Sequence, residues 1–204
     1  WQGLSPYGKE LVPELNRQGI MIDISHLSDK AAWQVLKLSK TPVIASHSSL
    51  RHFIPGFHRN MTDEMVKALA DNNGVIQINF GSGFISEASR TWSSRRSVAE
   101  AGFRHDQGGD VTLASLSAFR ENWRAQNPYP FANTDDVLDH IDRVVALAGI
   151  DYVGIGSDYD GVGDTLPDGL KDASTFPNLV QGLLDRDYSK ADIQKILGTN
   201  LMRV

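Results

Sequence analysis

The 204 residues contain no cysteine, 25 acidic and 20 basic side chains, and a formal net charge of −5. This excludes disulfides, thiolate nucleophiles and cysteine-held zinc, and it supplies no basic stripe for a nucleic acid. No apolar run reaches the roughly 20 residues of a membrane span, so the chain reads as a soluble globular protein, cytoplasmic or periplasmic. Trp1 stands where a methionine would open a complete chain, which reads as a processed or excised start.

In chain order, Ser5-Pro6 predicts a capped helix through Glu10, Leu11 and Leu15, stopped by Gly19. Ile20 to Ser25 has strand composition. Ser28 caps a second predicted helix carrying Ala32, Val35, Leu36 and Leu38, and Thr41-Pro42 introduces a strand from Val43 to Ser46. Thr62, with Asp63 and Glu64 behind it, predicts a third helix, because acids in the first turn suit the helix dipole. Asn73-Gly74 ends it, and Val75 to Phe80 is the third strand.

The alternation pauses over residues 81–133, a polar stretch with one predicted helix near Leu116 to Ala125. Connections this long are usually functional loops or lids. Thr134 restarts a helix through Val144 and Leu147, and Tyr152 to Ser157 is the fourth strand. Two helices complete the chain, near Asn178 to Leu184 and after Ser189, where Ser189-x-x-Asp192 has a capping-box pattern.

Strands alternating with helices imply an α/β fold with a parallel sheet. Strand parity puts Gly154, Gly156 and Asp158 on one face of their strand, and it likewise keeps Val75, Gln77 and Asn79 together and Val43, Ala45 and His47 together. Small or polar residues there suit a barrel interior better than a doubly wound sheet. A (β/α)8 TIM-type barrel needs eight strands in about 250 residues. With half that number, this sheet is not expected to close alone.

Three polar residues end three of the strand-like runs: His26, His47 and Asp158. The carboxyl ends of parallel strands are where ligands and catalysis gather. Two imidazoles on successive strand ends can chelate one metal ion. Their bland alternative is a hydrogen bond to a helix start or a core carbonyl. Asp158 either caps the Asp160-Gly161 turn or carries a proton to or from a reacting group. Arg59 offers a planar fork for a carboxylate, or is a solvated loop cation. His52 and His58 are expected to be structural or exposed, His105 and His140 to lie on the surface, and Arg95-Arg96 to be a solvated pair. Ser46 and Ser48 flank His47, but neighbouring side chains on a regular strand point to opposite faces, so a serine triad is not expected.

Taken together, Gly3-Leu4-Ser5-Pro6-Tyr7-Gly8, Ile22-Asp23-Ile24-Ser25-His26, the stretch from Pro42 to Ser49, Arg59-Asn60, the stretch from Gly154 to Gly161, and Asn200 to Val204 carry a resemblance. The chain resembles the membrane (renal) dipeptidase family, zinc dipeptidases of the amidohydrolase-like barrel group, over that family's C-terminal half. The segment near 86 to 128 departs from it and looks closer to bacterial members. The resemblance implies hydrolysis of dipeptides by a hydroxide bridging two zinc ions. It implies that His26 and His47 hold one zinc, that Arg59 binds the substrate's terminal carboxylate with Asn60 beside it, and that Asp158 contacts the substrate amine and handles protons.

The family's first ligands, a His-x-Asp pair and a bridging glutamate, precede the matching segments. They are expected on the N-terminal half of the same protein, as a second chain or an upstream segment. Residues 1–204 are thus expected to be the C-terminal portion of one barrel domain, with 81–133 as a lid-like insertion after its third strand. The family also often dimerises, although no interface is legible. Two other readings compete: a related barrel amidohydrolase acting on cyclic amides or lactones, and a non-catalytic half-barrel serving as a binding or assembly subunit.

Overall fold

The computed structural model describes residues 3–108 and 110–204. Helix α1 (Pro6–Gln18) begins where Ser5 Oγ accepts the Gly8 N–H at 3.1 Å, and it ends at Gly19 in the left-handed region at φ 68°. Strand β1 (Ile22–Asp23) follows, then α2 (Asp29–Leu38), β2 (Val43–Ser48), α3 (Asp63–Asp71) and β3 (Val75–Ile78). Beyond β3 come α4 (Ser82–Ile85), α5 (Glu87–Asp106), α6 (Leu113–Gln126) and α7 (Thr134–Ala148). Strand β4 (Val153–Ile155) precedes α8 (Phe176–Asp185) and α9 (Lys190–Gln194), which passes through one π turn into α10 (Asn200–Arg203). The predicted caps Ser28, Thr62 and Ser189 each accept a backbone N–H in the first turn of their helix. At α7 the cap is Asn133, one residue ahead of Thr134.

The strands form one parallel sheet in the order β1-β2-β3-β4, with Ile22 beside Val43, Ile44 beside Val75, and Ile76 beside Val153. The order never reverses, so the sheet lacks the switch point of a doubly wound fold. Crossovers of one hand along a sheet that always advances the same way place their helices on one side. Accordingly α1 packs on α2, α2 on α3, α3 on α7, and α7 on α8. Val43, Val75, Ile76 and Ile78 of β2 and β3, Val153 of β4, and Ile141 and Val144 of α7 are fully buried. Each such side chain contributes about 1.5–3 kcal/mol on leaving water.

Three expectations change. Strands β1 and β4 are shorter than their apolar runs. The segment after β3 holds three helices rather than one near Leu116. The 20 residues of α5 bury only Ser89 and Trp92, so no apolar stripe announced it. It is held against α6 by the stacked rings of Phe103 and Phe119, 4.6 Å apart, and by Glu100, which pairs with Arg104 and Arg120.

His140 is the third correction. It is fully buried on α7 rather than exposed. Its Nδ1 accepts the Leu50 N–H at 3.0 Å and its Nε2 donates to the Ile85 carbonyl at 3.3 Å. Burial holds its pKa down at about 3, so the ring stays neutral. The one His-x-Asp sequence of the chain, His140-Ile141-Asp142, therefore lies on this helix. Its Asp142 is bound by Arg186 and the Tyr188 hydroxyl. No helix among the described residues is long and apolar enough to cross a membrane.

Candidate metal and substrate site

The site is assembled at the carboxyl ends of the four strands. The residues after β1 turn sharply, leaving His26 at φ 71°, and the turn after β4 leaves Asp158 at φ 59°. Left-handed backbone is uncommon outside glycine and gathers at functional sites, where the surrounding structure over-determines it. Two of the three strand-end residues singled out in the sequence thus carry that signature.

The Nε2 atoms of His26 and His47 lie 2.9 Å apart, with ring centroids at 4.9 Å and a tilt of 53°. Zinc–nitrogen bonds of roughly 2.0–2.1 Å place two ligands at roughly 90–110° roughly 2.9–3.4 Å apart. The pair therefore fits a shared ion, and imidazole is a common ligand for one. The His26 pKa is lowered first by partial burial and then by the positive charges of Arg59 and His47, with Asp158 and Asp23 opposing. Its neutral, ligating form is favoured. Among the described residues no three His, Asp or Glu side chains converge on one point. A catalytic zinc ordinarily has three protein ligands, and this pair could offer only two.

Strand β2 is irregular where it matters. Its register against β3 shifts between Ala45 and Ser48, and the alternation of side chains fails with it. Ser46 and His47, expected on opposite faces, consequently touch: Ser46 Oγ lies 2.6 Å from His47 Nδ1. The same hydroxyl is 2.5 Å from Asp23 Oδ2, while Asp23 Oδ1 accepts the N–H groups of Ser25 and Ser46 at 2.9 and 3.1 Å. Gly156 lets the end of β4 lie close by, since a Cβ there would sit 2.2 Å from the Ser46 carbonyl oxygen.

Arg59 is aimed from a cross-braced loop. Arg51 grips both carboxylate oxygens of Asp29 at 2.7 and 2.8 Å and donates to the Asn60 carbonyl. Asn60, expected beside the substrate, is 1% exposed, and its amide donates to the carbonyls of Leu50 and Phe84. It secures the loop from below. Arg59 then donates to Ser48 Oγ at 2.8 Å and to the His47 carbonyl at 2.9 Å, while its buried Nε has no acceptor among the described residues. Burial lowers the Arg59 pKa, with Asp158 and Asp23 pulling the other way. A guanidinium starting so high stays charged.

Asp158 is oriented by Asn79, whose amide donates to Oδ2 at 2.7 Å and whose own oxygen accepts the Gly81 N–H. Gly161 makes room for the carboxylate, because a Cβ there would meet Asp158 Oδ1 at 2.1 Å. Elsewhere, His52, His58 and His105 are exposed, with His58 Nδ1 3.3 Å from Asp29. A groove of about 790 Å³ between Phe57, Arg90 and Trp123 includes none of the strand-end residues.

Sequence reasoning overlooked Asp23, Ser46 and Asn79. Asp23 interrupts an apolar strand-like run, where aspartate is disfavoured, and that misfit was a usable signal. Asn79 closes the apolar run of β3 just as His26, His47 and Asp158 close theirs.

A parallel α/β protein with a polar, imidazole-bearing cluster at its strand ends is the class that this fold and site define. The chain belongs to the membrane dipeptidase family, peptidase family M19, whose model matches residues 1–204. It is 33% identical to mouse Dipeptidase 3 over 202 residues, covering 99% of this chain and 32% of that protein. Among solved structures, the probable dipeptidase PvdM from Pseudomonas aeruginosa is 31% identical with a TM-score of 0.80. That match covers 98% of this chain and 53% of the other. A metallo peptidase from Rhodobacter sphaeroides, liganded with a phosphinate mimic of the dipeptide L-Ala-D-Ala, is 28% identical with a TM-score of 0.74. It is matched over 98% of this chain and 46% of that one. The chain thus spans about a third of the mammalian relative and about half of each solved structure.

Proposed function

We propose that these 204 residues are the C-terminal half of a (β/α)8 metallo-dipeptidase barrel and form one side of its active site. The observation that carries this reading is the 2.9 Å approach of His26 Nε2 to His47 Nε2, beside an arginine whose buried Nε has no acceptor among the described residues. Similarity to dipeptidases along the whole chain, and a sheet that advances through four parallel strands without reversing, support the architecture. In this reading the N-terminal half closes the barrel and brings the remaining ligands of a two-zinc centre. The segment 81–133 lies beside the Arg59 loop, as a lid would, with Arg90 over the Phe57 ring and Phe84 beneath Arg59.

His26 and His47 would hold one zinc ion. Bound there, zinc supplies Lewis acidity to a peptide carbonyl and acidifies water. The protein's own residues do the rest. Arg59, immobilised by Ser48 and the His47 carbonyl, receives the free carboxylate of the dipeptide and fixes the scissile bond relative to the histidines. Asp158, held by Asn79, engages the substrate amine, and it would take the proton that the attacking water loses and pass it to the leaving nitrogen, a role worth about 10²–10⁴ in rate. The phosphinate dipeptide mimic carried by the Rhodobacter relative is consistent with a dipeptide-sized substrate.

Metal analysis and a substrate panel test the reading on the full-length protein. Zinc should co-purify, His47→Ala should lose zinc and most hydrolysis, and dipeptides should far outrun their C-terminal amides. A metal-free preparation with full activity would sink the proposal. Preference for cyclic amides or lactones would favour a related amidohydrolase. Full function with His47→Ala would leave a binding or assembly subunit.

A further inference from the structure

The contacts around His47 form a directional chain. Asp23 Oδ1 faces two backbone N–H groups, those of Ser25 and Ser46, so it can only accept. Asp23 Oδ2 faces Ser46 Oγ at 2.5 Å. A serine hydroxyl has one proton and two lone pairs. Given to the carboxylate, that proton leaves only a lone pair for His47 Nδ1, which lies 2.6 Å away. Nδ1 must then carry a hydrogen, and Nε2, the atom facing His26, is left with its lone pair free.

We propose that Asp23 and Ser46 are positioning residues that lock His47 in the Nδ1–H tautomer, so that Nε2 is ready to bind metal. This rests on the reading of His26 and His47 as a ligand pair. The register shift in β2 is what makes the relay: on a regular strand Ser46 would face away from the His47 ring. The ring's main chain is held from the other side, where Ser25 Oγ accepts the His47 N–H at 3.1 Å and lies 3.1 Å from Ser48 Oγ. A metal-bound histidine commonly donates its other nitrogen directly to a carboxylate or carbonyl. Here a hydroxyl is interposed.

Asp23→Asn reverses the chain. Its amide can donate to Ser46 Oγ, the hydroxyl can then donate to Nδ1, and the proton on the ring moves to Nε2. Asparagine at such a position favours the wrong tautomer. The test uses the full-length protein and two readouts: zinc affinity by chelator competition, and the ¹⁵N chemical shifts of the His47 ring in zinc-free protein.

Wild type should show a protonated Nδ1. Asp23→Asn and Ser46→Ala should each lose about 10- to 100-fold in zinc affinity. Asp23→Asn should also move the ring proton, and Ser46→Thr, which keeps the hydroxyl, should restore both properties. A bare Nδ1 in wild type overturns the proposal, as does wild-type zinc affinity in Asp23→Asn and Ser46→Ala. If Asp23→Asn does not fold, the Ser46→Ala and Ser46→Thr pair decides. His47→Ala separates the two levels: if it retains zinc, the ligand reading itself fails. If it loses zinc while the Asp23 and Ser46 variants do not, only the relay fails.

Discussion

The side-chain amide of Asn79 donates to Asp158 Oδ2 at 2.7 Å, joining residues that follow two neighbouring strands. Asn79→Asp preserves shape and the acceptor for the Gly81 N–H, but it replaces the donor with a charge that repels Asp158. The expected outcome is a fall in kcat of about 10- to 100-fold on dipeptides, the scale of a displaced reacting group. Steady-state kinetics together with a thermal melt check it. An unchanged kcat would mean that Asp158 needs no such partner.

Two glycines are predicted to be irreplaceable for reasons of space. Gly161→Ala would place a methyl against the Asp158 carboxylate and lower kcat while the fold persists. Gly156→Ala would push on the backbone at Ser46, destabilising the fold by about 1–3 kcal/mol and weakening zinc binding. Melting temperature and zinc content, measured on both variants, should separate them: the first loses rate alone, the second loses both.

Arg59→Lys should raise KM for dipeptides about 10- to 100-fold and leave hydrolysis of the corresponding amides nearly unchanged. An ammonium cannot hold Ser48 Oγ and the His47 carbonyl while still presenting a fork to a carboxylate. If dipeptides and amides lose activity equally, Arg59 is a structural brace and not a carboxylate receptor.

His140 predicts the acid limb of stability. Its unfolded ring takes a proton near 6.5, the folded ring only near about 3. Between those values the unfolded state binds more protons, so stability falls as pH is lowered through that window and is untouched above it. The slope approaches about 1.4 kcal/mol per pH unit. Urea unfolding at several pH values should show that His140→Gln, though less stable at neutral pH, has lost this slope. Equal slopes in the two proteins would refute the assignment.

How much could be read from the chain divides by distance along it. The caps at Ser5, Ser28, Thr62 and Ser189 were legible because each hydrogen bond closes within three residues. Helix α5 was not, because it buries too little apolar surface to leave a periodic trace. His140 was misplaced because its partners, Leu50 and Ile85, lie 90 and 55 positions away.

By itself, the sequence determined the parallel α/β class, the family, and the identity of His26, His47, Arg59 and Asp158 as candidates. These depend on local patterning and on strands that must end somewhere useful. Only the tertiary structure brought the two imidazoles to 2.9 Å, opened the bulge that seats Ser46 against His47, and set Asn79 on Asp158 across 79 residues. Those relations depend on register between strands, and a one-residue slip would reverse every face while leaving the composition unchanged.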